Sequence, residues 1–274
     1  GPADGAQHPG RDTGGILSKT AIHTGSRLYQ IVADMQGDRP WGNFLDAGTG
    51  KGSLRWLLTL DTERWTAITA SPGMAEQVTR ELGDQKRPED RLLVGNWSDP
   101  EFLQGERFDT VLADYLLGAI DGFAPYTQDQ LFSRLRPLTD QRLYIIGLEP
   151  YVPYSSTDPA GKLIVEIGRL RDACLLLAGE RPYREYPMDW VLRHLRQSGY
   201  RCVDAQRFGI RYGDSFIHGQ LDMCDGRLRR LKDRNLAMAL SEHVQALRQQ
   251  ALALNQTLGG LRHGHDYVIC AEAI

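Results

Sequence analysis

The stretch FLDAGTGKGSLRWLL, residues 44–58, decides the fold. A short apolar run over 43–47 ends in glycines, and a helical pattern follows over 54–60. Glycines suit a place where the chain turns sharply and approaches a ligand, because they carry no Cβ. The helix that follows presents unpaired N–H groups and the positive end of its dipole. The stretch therefore predicts a strand, a tight loop and a helix at the point where doubly wound sheets bind nucleotide-like ligands.

The glycine spacing separates the known kinds of nucleotide loop. A dinucleotide loop has the pattern GxGxxG, whereas Gly48 and Gly50 are followed here by Gly52 and then Ser53. A P-loop has serine or threonine directly after its Gly-Lys pair, and here Gly52 follows Lys51. Both phosphate-binding interpretations lose support. A turn that serves only geometry remains the alternative, and its place between strand and helix counts against it.

Strand and helix patterns alternate along the rest of the chain. The further strands are predicted at 65–70, 91–94, 108–113, 142–148, 200–208 and 267–271. The further helices are predicted at 16–35, 73–82, 131–135, 163–177, 190–195 and within the amphipathic stretch 226–258, which fits one helix or a pair. This alternation predicts an α/β fold with a parallel sheet covered on both faces.

Five motifs, in order along the chain, resemble the class I S-adenosylmethionine-dependent methyltransferases, which have a Rossmann-like fold. They are FLDAGTGKGSLRWLL (44–58), RWTAITASPGMAEQV (64–78), RLLVGNWSDP (91–100), RFDTVLADYLLGAI (107–120) and RLYIIGLEP (142–150). The resemblance covers 41–150 well and the final strands more loosely. It implies a doubly wound, seven-stranded, mostly parallel sheet with the last strand antiparallel, and an enzyme that uses S-adenosyl-L-methionine as cofactor.

The same resemblance implies a set of cofactor contacts. Asp46 and the loop 48–52 would hold the methionine end, Asn96 would meet the adenine amino group, and Asp114 would line the floor where cofactor and acceptor meet. The implied cofactor-binding residues are Asp46, Gly48, Thr49, Gly50, Gly52, Thr69, Ala70, Asn96, Trp97 and Asp114.

Two positions depart from the family's pattern. Thr69 stands where the family usually has an acidic residue that accepts from both ribose hydroxyls, and a threonine accepts more weakly than a carboxylate. Asn96 stands where many members have aspartate, although its side-chain oxygen still accepts a hydrogen bond. These departures motivate an alternative, a scaffold that binds the cofactor without catalysis.

Tyrosines and arginines concentrate after the fourth and fifth strands, where the acceptor should lie. Aromatic rings surround cationic groups well, and an arginine pairs with a carboxylate. Tyrosines that cap a surface and solvated arginines are the alternative explanation, for Arg181 as for Arg184. The predicted substrate-binding residues are Tyr115, Tyr126, Tyr151, Tyr183, Arg184 and Tyr186.

Methyl transfer is an in-line displacement that depends on positioning, so no covalent protein nucleophile is required. Asp114, Tyr115 and His218 are weak candidates for a catalytic group. His263 and His265 have no third metal ligand at a useful spacing, and we predict no metal site.

The chain reads as one domain over 16–274 after an N-terminal tail over 1–15. Insertions at about 151–190 and 215–260 are predicted to form a helical lid over the acceptor site, or a homodimer face. The alternative hypothesis is that both insertions only extend the hydrophobic core.

Composition limits the possible partners. The chain has 32 basic and 35 acidic residues, a net charge of -3 and no long basic run, which argues against nucleic acid. No apolar run is long enough to span a bilayer, and the four cysteines form no CxxC pair. We therefore predict a cytoplasmic protein with no membrane partner and with reduced, buried thiols.

The combined prediction is a transferase that moves a methyl group from S-adenosyl-L-methionine to a small-molecule acceptor. Nitrogen and sulfur acceptors are favoured over oxygen, because an aromatic cage suits a positively charged product. An RNA or protein methyltransferase and a non-catalytic scaffold remain alternatives. An NAD-dependent oxidoreductase is disfavoured by the glycine spacing.

Overall fold

A computed structural model describes residues 19–274, with side chains described for 27–50 and 52–274. The predicted tail and the start of the first predicted helix lie outside these residues. The strands are β1 (Asn43–Asp46), β2 (Arg64–Thr69), β3 (Arg91–Val94), β4 (Phe108–Asp114), β5 (Thr139–Leu148), β6 (Tyr200–Tyr212) and β7 (Leu261–Ala273).

The seven strands form one sheet in the order β3-β2-β1-β4-β5-β7-β6. Strands β1 to β5 pair in parallel, and β7 is antiparallel to both β5 and β6. The predicted α/β fold, doubly wound and mostly parallel with its last strand antiparallel, is confirmed. Because the order reverses between β1 and β4, a crevice opens at the carboxyl ends of these strands.

The helices lie on both faces of the sheet. They are α1 (Lys19–Gln36), α2 (Lys51–Leu57), α3 (Pro72–Leu82), α4 (Leu116–Ala119), α5 (Leu131–Leu135), α6 (Pro159–Leu177), α7 (Met188–Gln197), α8 (Asp214–Leu228) and α9 (Arg234–Leu258). Alternate residues of β5 enter different apolar clusters: Tyr144 and Ile146 pack on one face, Leu143 and Ile145 on the other.

Helix boundaries follow from capping side chains. Helix α2 begins three residues before the predicted start. The Ser53 hydroxyl accepts from the Gly50 N–H at 3.0 Å, so this backbone donor at the N-terminus of the helix has a partner. The amphipathic stretch 226–258 is two helices. Asp233 caps α9 by accepting from the Leu236 N–H at 3.1 Å, which starts a new helix after the break.

Helices α6, α8 and α9 contribute buried residues to the same apolar cluster as α1 and α2. Among them are Ile164, Phe216 and Val244, each at most 1% exposed. These helices therefore extend the core of one face of the sheet.

One expectation about the cysteines is wrong. Cys174, Cys224 and Cys270 are buried, but Cys202 is exposed on β6, because its side chain points away from the core at the edge of the sheet. Within 19–274, no helix is both long enough and apolar enough to cross a membrane.

Candidate active site

The loop between β1 and α2 is held together by a small network around Asp46. The Ser53 hydroxyl donates to Asp46 Oδ2 at 2.7 Å, and the Thr49 hydroxyl lies 3.3 Å from that of Ser53. Asp46 is completely buried, and burial raises its pKa to about 6. Its other oxygen, Oδ1, has no hydrogen-bond partner among the described side chains. This oxygen retains acceptor capacity for a ligand that carries a donor.

A crevice of about 40 Å³ lies beside this loop, at the carboxyl ends of β1 and β2. Its size admits little more than water, so a nucleoside would enter only as the lining side chains move apart. The lining residues are Ala47, Gly48, Thr49, Ile68, Thr69, Ala70, Met74, Gly95, Trp97, Leu116, Ala119 and Phe123.

Trp97 fixes one wall of the crevice, because its indole N–H donates to the Ala47 carbonyl at 2.7 Å. The side chain of the neighbouring Asn96 is engaged outside the crevice. Its Oδ1 accepts from the N–H and hydroxyl of Ser98, at 2.9 and 2.7 Å. Thr69 Oγ1 accepts from the Ser71 N–H at 3.2 Å, so part of its modest acceptor capacity is already used.

Two buried acids meet tyrosines at the carboxyl end of β4. The Tyr29 hydroxyl of α1 donates to Asp114 Oδ2 at 2.5 Å. Tyr115 has φ 53°, in the left-handed region, and its hydroxyl donates to Asp266 Oδ1 at 2.7 Å. Burial raises the pKa of Asp266 to about 7. Asp266 pairs with Leu148 in the sheet register, which places it at the same carboxyl edge.

A much larger cavity, of about 1030 Å³, opens beyond β4 and β5. We call it the acceptor cavity, after the role that the sequence predicts for its tyrosines. It is lined by Asp121, Tyr126, Gln128, Leu148, Pro150, Tyr151, Val152, Pro153, Tyr154, Arg171, Asp172, Leu176, Gly179, Glu180, Arg181, Pro182, Tyr183, Arg184, Glu185 and Tyr186. It therefore brings together side chains from α6 and from the loops on both sides of that helix.

Helix α4 separates the crevice from the acceptor cavity. Its residues Leu116 and Ala119 line the crevice, whereas the carboxyl group of Glu185 lies against Gly118, where a Cβ would overlap it. Glycine at this position is what allows the loop with Glu185 to approach the helix so closely.

No protein-family model matches the chain, and no curated protein has a significantly similar sequence. Solved structures do match. The chain is similar to a putative methyltransferase from Bacillus halodurans, at 13% identity and a TM-score of 0.57 over 91% of this chain and 98% of that one. It is also similar to a mycolic acid cyclopropane synthase complexed with SAH and CTAB, at 15% identity and a TM-score of 0.52 over 91% and 85% of the two chains. A third match is the (4+2)-cyclase SpnF, at 18% identity and a TM-score of 0.51 over 96% and 84%.

The chain has the class I methyltransferase fold. The strand order and these matches agree on it, and the resemblance seen in the sequence is confirmed at the level of the fold.

Within this fold, most of the predicted substrate-binding residues and half of the predicted cofactor-binding residues line one of the two spaces. Tyr126, Tyr151, Tyr183, Arg184 and Tyr186 all line the acceptor cavity. The predicted crevice residues Gly48, Thr49, Thr69, Ala70 and Trp97 line the crevice.

Several predicted residues lie elsewhere or are otherwise engaged. The crevice lining does not include Asp46, Gly50, Gly52 or Asp114. Asn96 does not line the crevice, and the Tyr115 hydroxyl is committed to Asp266. His218 is exposed on α8, where its Nδ1 lies 2.7 Å from the Arg248 guanidinium, and it lines neither space. Among the described residues, no group of three or more metal-ligating side chains is arranged to hold an ion.

Sequence reasoning did not single out Tyr29 or Asp266, although both contact residues at the carboxyl end of β4. Asp266 had one visible signal, a carboxylate directly before the apolar run 267–271. Tyr29 had none, since it sits on a helix far away in sequence.

Proposed function

We propose that this protein is an S-adenosylmethionine-dependent methyltransferase that acts on a small-molecule acceptor, with nitrogen or sulfur favoured over oxygen. One observation carries the proposal. The buried Asp46 directly precedes the crevice-lining Ala47 and Gly48 and has one oxygen with no hydrogen-bond partner among the described residues, and helix α4 lies between that crevice and the acceptor cavity. A cofactor site next to a cavity that can hold the acceptor is what group transfer requires.

The residues in and directly beside the crevice fit the cofactor. Asp46 Oδ1 is a buried acceptor suited to the amino group of the methionine end, and charge-assisted hydrogen bonds of this type are strong. The backbone around Gly50 is open, because a Cβ there would meet nothing within 4 Å. Thr69 and Ala70 would lie at the ribose and Trp97 at the adenine. Asn96 would have to release Ser98 to take part.

S-adenosylmethionine supplies a methyl group on a positively charged sulfur when it is bound. The protein's own part is to hold the acceptor in line and to exclude water. Tyr151 and Tyr183 are at most 8% exposed and belong to the inner wall of the acceptor cavity. One of the structural matches is a complex with SAH, which supports the choice of cofactor.

The proposed cover of the acceptor site is the insertion 151–190, since α6 and the loops beside it supply most of the cavity lining. Helices α8 and α9, which are fully described, supply none of it. A lid role for 215–260 and a homodimer face remain predictions, as does a cytoplasmic location.

The second candidate function is that of a protein with this fold that catalyses a reaction other than methyl transfer, or that binds the cofactor without catalysis. Thr69 in place of an acidic residue motivates it, and so does the structural likeness to a protein described as a (4+2)-cyclase.

The test is a transfer assay with methyl-labelled S-adenosylmethionine on a panel of amines, thiols, phenols, carboxylic acids and total RNA. The proposal expects label on at least one small molecule and formation of SAH. Binding of the cofactor without label on any panel member would favour the second candidate, and label on RNA alone would contradict a small-molecule acceptor.

A further inference from the structure

The opening of the acceptor cavity carries large side chains that remain exposed. Tyr126 is 81% exposed, Tyr154 61% and Leu176 63%, and all three line the cavity. Grouped apolar surface of this kind marks a binding site in a soluble protein. The rim therefore offers apolar contact to a ligand that extends out of the cavity.

Tyr126 also has an unusual backbone. Its φ of 68° lies in the left-handed region, which is costly for a residue with a bulky side chain. This conformation brings its ring under the Arg181 guanidinium, which lies 5.0 Å from the ring centroid. A strained residue at the mouth of a cavity points to a functional role there.

The acidic groups of the cavity lining are largely occupied. Asp172 pairs with Arg171 at 2.9 Å, and Glu180 pairs with Arg227 at 2.8 Å. Asp121 accepts from the Gln128 side chain at 3.0 Å and from a backbone N–H at 2.9 Å. These carboxylates have little capacity left for a cationic ligand near the opening.

The arginines of the opening have no carboxylate partner among the described residues. Arg181 and Arg184 are both exposed, and neither is among the ion pairs that the described residues form within 4.0 Å, although Arg181 lies over the Tyr126 ring. Guanidinium groups bind carboxylates and phosphates through paired N–H donors. The opening therefore has donors for an anion but few acceptors for a cation.

The inner end of the cavity differs from the opening. Leu148 is fully buried, and Glu185 lies against α4, the wall of the crevice. An acceptor atom must reach this inner end to meet a methyl donor in the crevice. A charged group elsewhere on the same molecule would then lie at the opening.

We propose that the acceptor is an elongated amphipathic anion, with its methyl-accepting atom at one end and a carboxylate or phosphate at the other. The inference rests on the proposed function, because it assigns the inner end to methyl transfer. The volume of about 1030 Å³ is at the upper end of the range for small-molecule sites, roughly 300–1,000 Å³, and fits a long ligand. Its acidic group binds Arg181 and Arg184, and its apolar body lies along Tyr126, Tyr154 and Leu176.

Calorimetric titration with decanoate, decyl phosphate and decyltrimethylammonium, each with and without SAH, tests this inference. We expect at least one anion to bind about tenfold more tightly than the cation, since charge-assisted hydrogen bonds are worth this much. The double variant Arg181→Ala/Arg184→Ala should lose about tenfold in affinity for that anion and change little for the cation. Decanoate and decyl phosphate together show which acid is preferred.

The matched control is Arg80→Ala/Arg193→Ala, which removes two exposed arginines outside the cavity lining. Equal affinity for anion and cation, no detectable binding of either anion, or an equal loss in both double variants would overturn the inference. A parallel titration with SAH alone separates the two claims. Anion binding without any SAH binding would contradict the proposed function alone, whereas SAH binding without anion binding would contradict the inference alone.

Discussion

Asp46 and Asp266 are buried carboxyl groups at the carboxyl edge of the sheet, and each has a raised pKa. Burial raises the first to about 6 and the second to about 7, from an ordinary value of 3.8. Since the folded protein binds these protons more tightly than the unfolded chain, each group stabilises the fold fully below about pH 4. That contribution is lost as the pH rises through the folded pKa, so the free energy of unfolding should fall between about pH 4 and 7.

Asp266→Asn should remove most of this pH dependence. The amide stays neutral and its oxygen still accepts from the Tyr115 hydroxyl, so the variant should be more stable than the wild type at pH 8, by about 2–4 kcal/mol. At pH 4 the two proteins should differ little. Urea denaturation at both pH values measures this, with the exposed Asp84→Asn as control. A variant less stable than the wild type at pH 8 would show that the ionised carboxylate is favoured in the fold.

Thr69→Asp should strengthen cofactor binding. A carboxylate at this place accepts from both ribose hydroxyls, and we expect the Kd for SAH to fall about five- to tenfold. The exposed Thr59→Asp adds the same charge away from the crevice and should leave the Kd unchanged. Weaker binding by Thr69→Asp alone would mean that the ribose does not lie at the end of β2.

At the scale of elements, the antiparallel pairing of β5 with β7 connects the sheet to the acceptor cavity. Gly147 pairs with Tyr267, whose ring occupies the place where a Cβ of residue 147 would lie. The Tyr267 hydroxyl then donates to the Tyr186 carbonyl at 2.7 Å. Gly147 therefore leaves room for the Tyr267 ring of β7, whose hydroxyl holds Tyr186 in the wall of the acceptor cavity.

Gly147→Ala should destabilise the protein by about 1–3 kcal/mol, because the added methyl group overlaps the Tyr267 ring in a packed region. Gly209→Ala on β6 is the matched control, since its Cβ would meet nothing within 4 Å. Urea denaturation compares the two variants. An equal effect of both substitutions would mean that the Tyr267 ring moves aside at no cost.

The sequence predicted the presence of all seven strands and the glycine loop, because period and turn residues are local signals. It predicted the last two strands too short, since β6 continues to Tyr212 and β7 begins at Leu261. It predicted the start of α2 three residues too late. The hydrogen bond from the Gly50 N–H to Ser53 that caps this helix is a side-chain contact, which the spacing of apolar residues does not reveal. It also predicted four of the tyrosines that line the acceptor cavity, because they follow the strands whose carboxyl ends meet there, but it included Tyr115, which does not line it, and left out Tyr154, which does. It missed Tyr29 and Asp266, whose partners at the end of β4 are 85 and 151 residues away along the chain.

At the scale of the whole molecule, two spaces lie on either side of a four-residue helix. The crevice beside Asp46 is narrow and the acceptor cavity is wide, and α4 is the wall between them. The crevice must open to accept a nucleoside. Binding would then stabilise the fold by about 2.7 kcal/mol at a ligand concentration one hundred times Kd.

The central claim is that the buried Asp46 in the crevice loop binds the cofactor. Calorimetric titration of the wild type with SAH, beside Asp46→Asn and the exposed control Asp61→Asn, tests it most directly. We expect saturable binding to one site per chain, with affinity about 10- to 100-fold lower in Asp46→Asn and unchanged in Asp61→Asn. No binding by the wild type, or equal binding by Asp46→Asn, would contradict it.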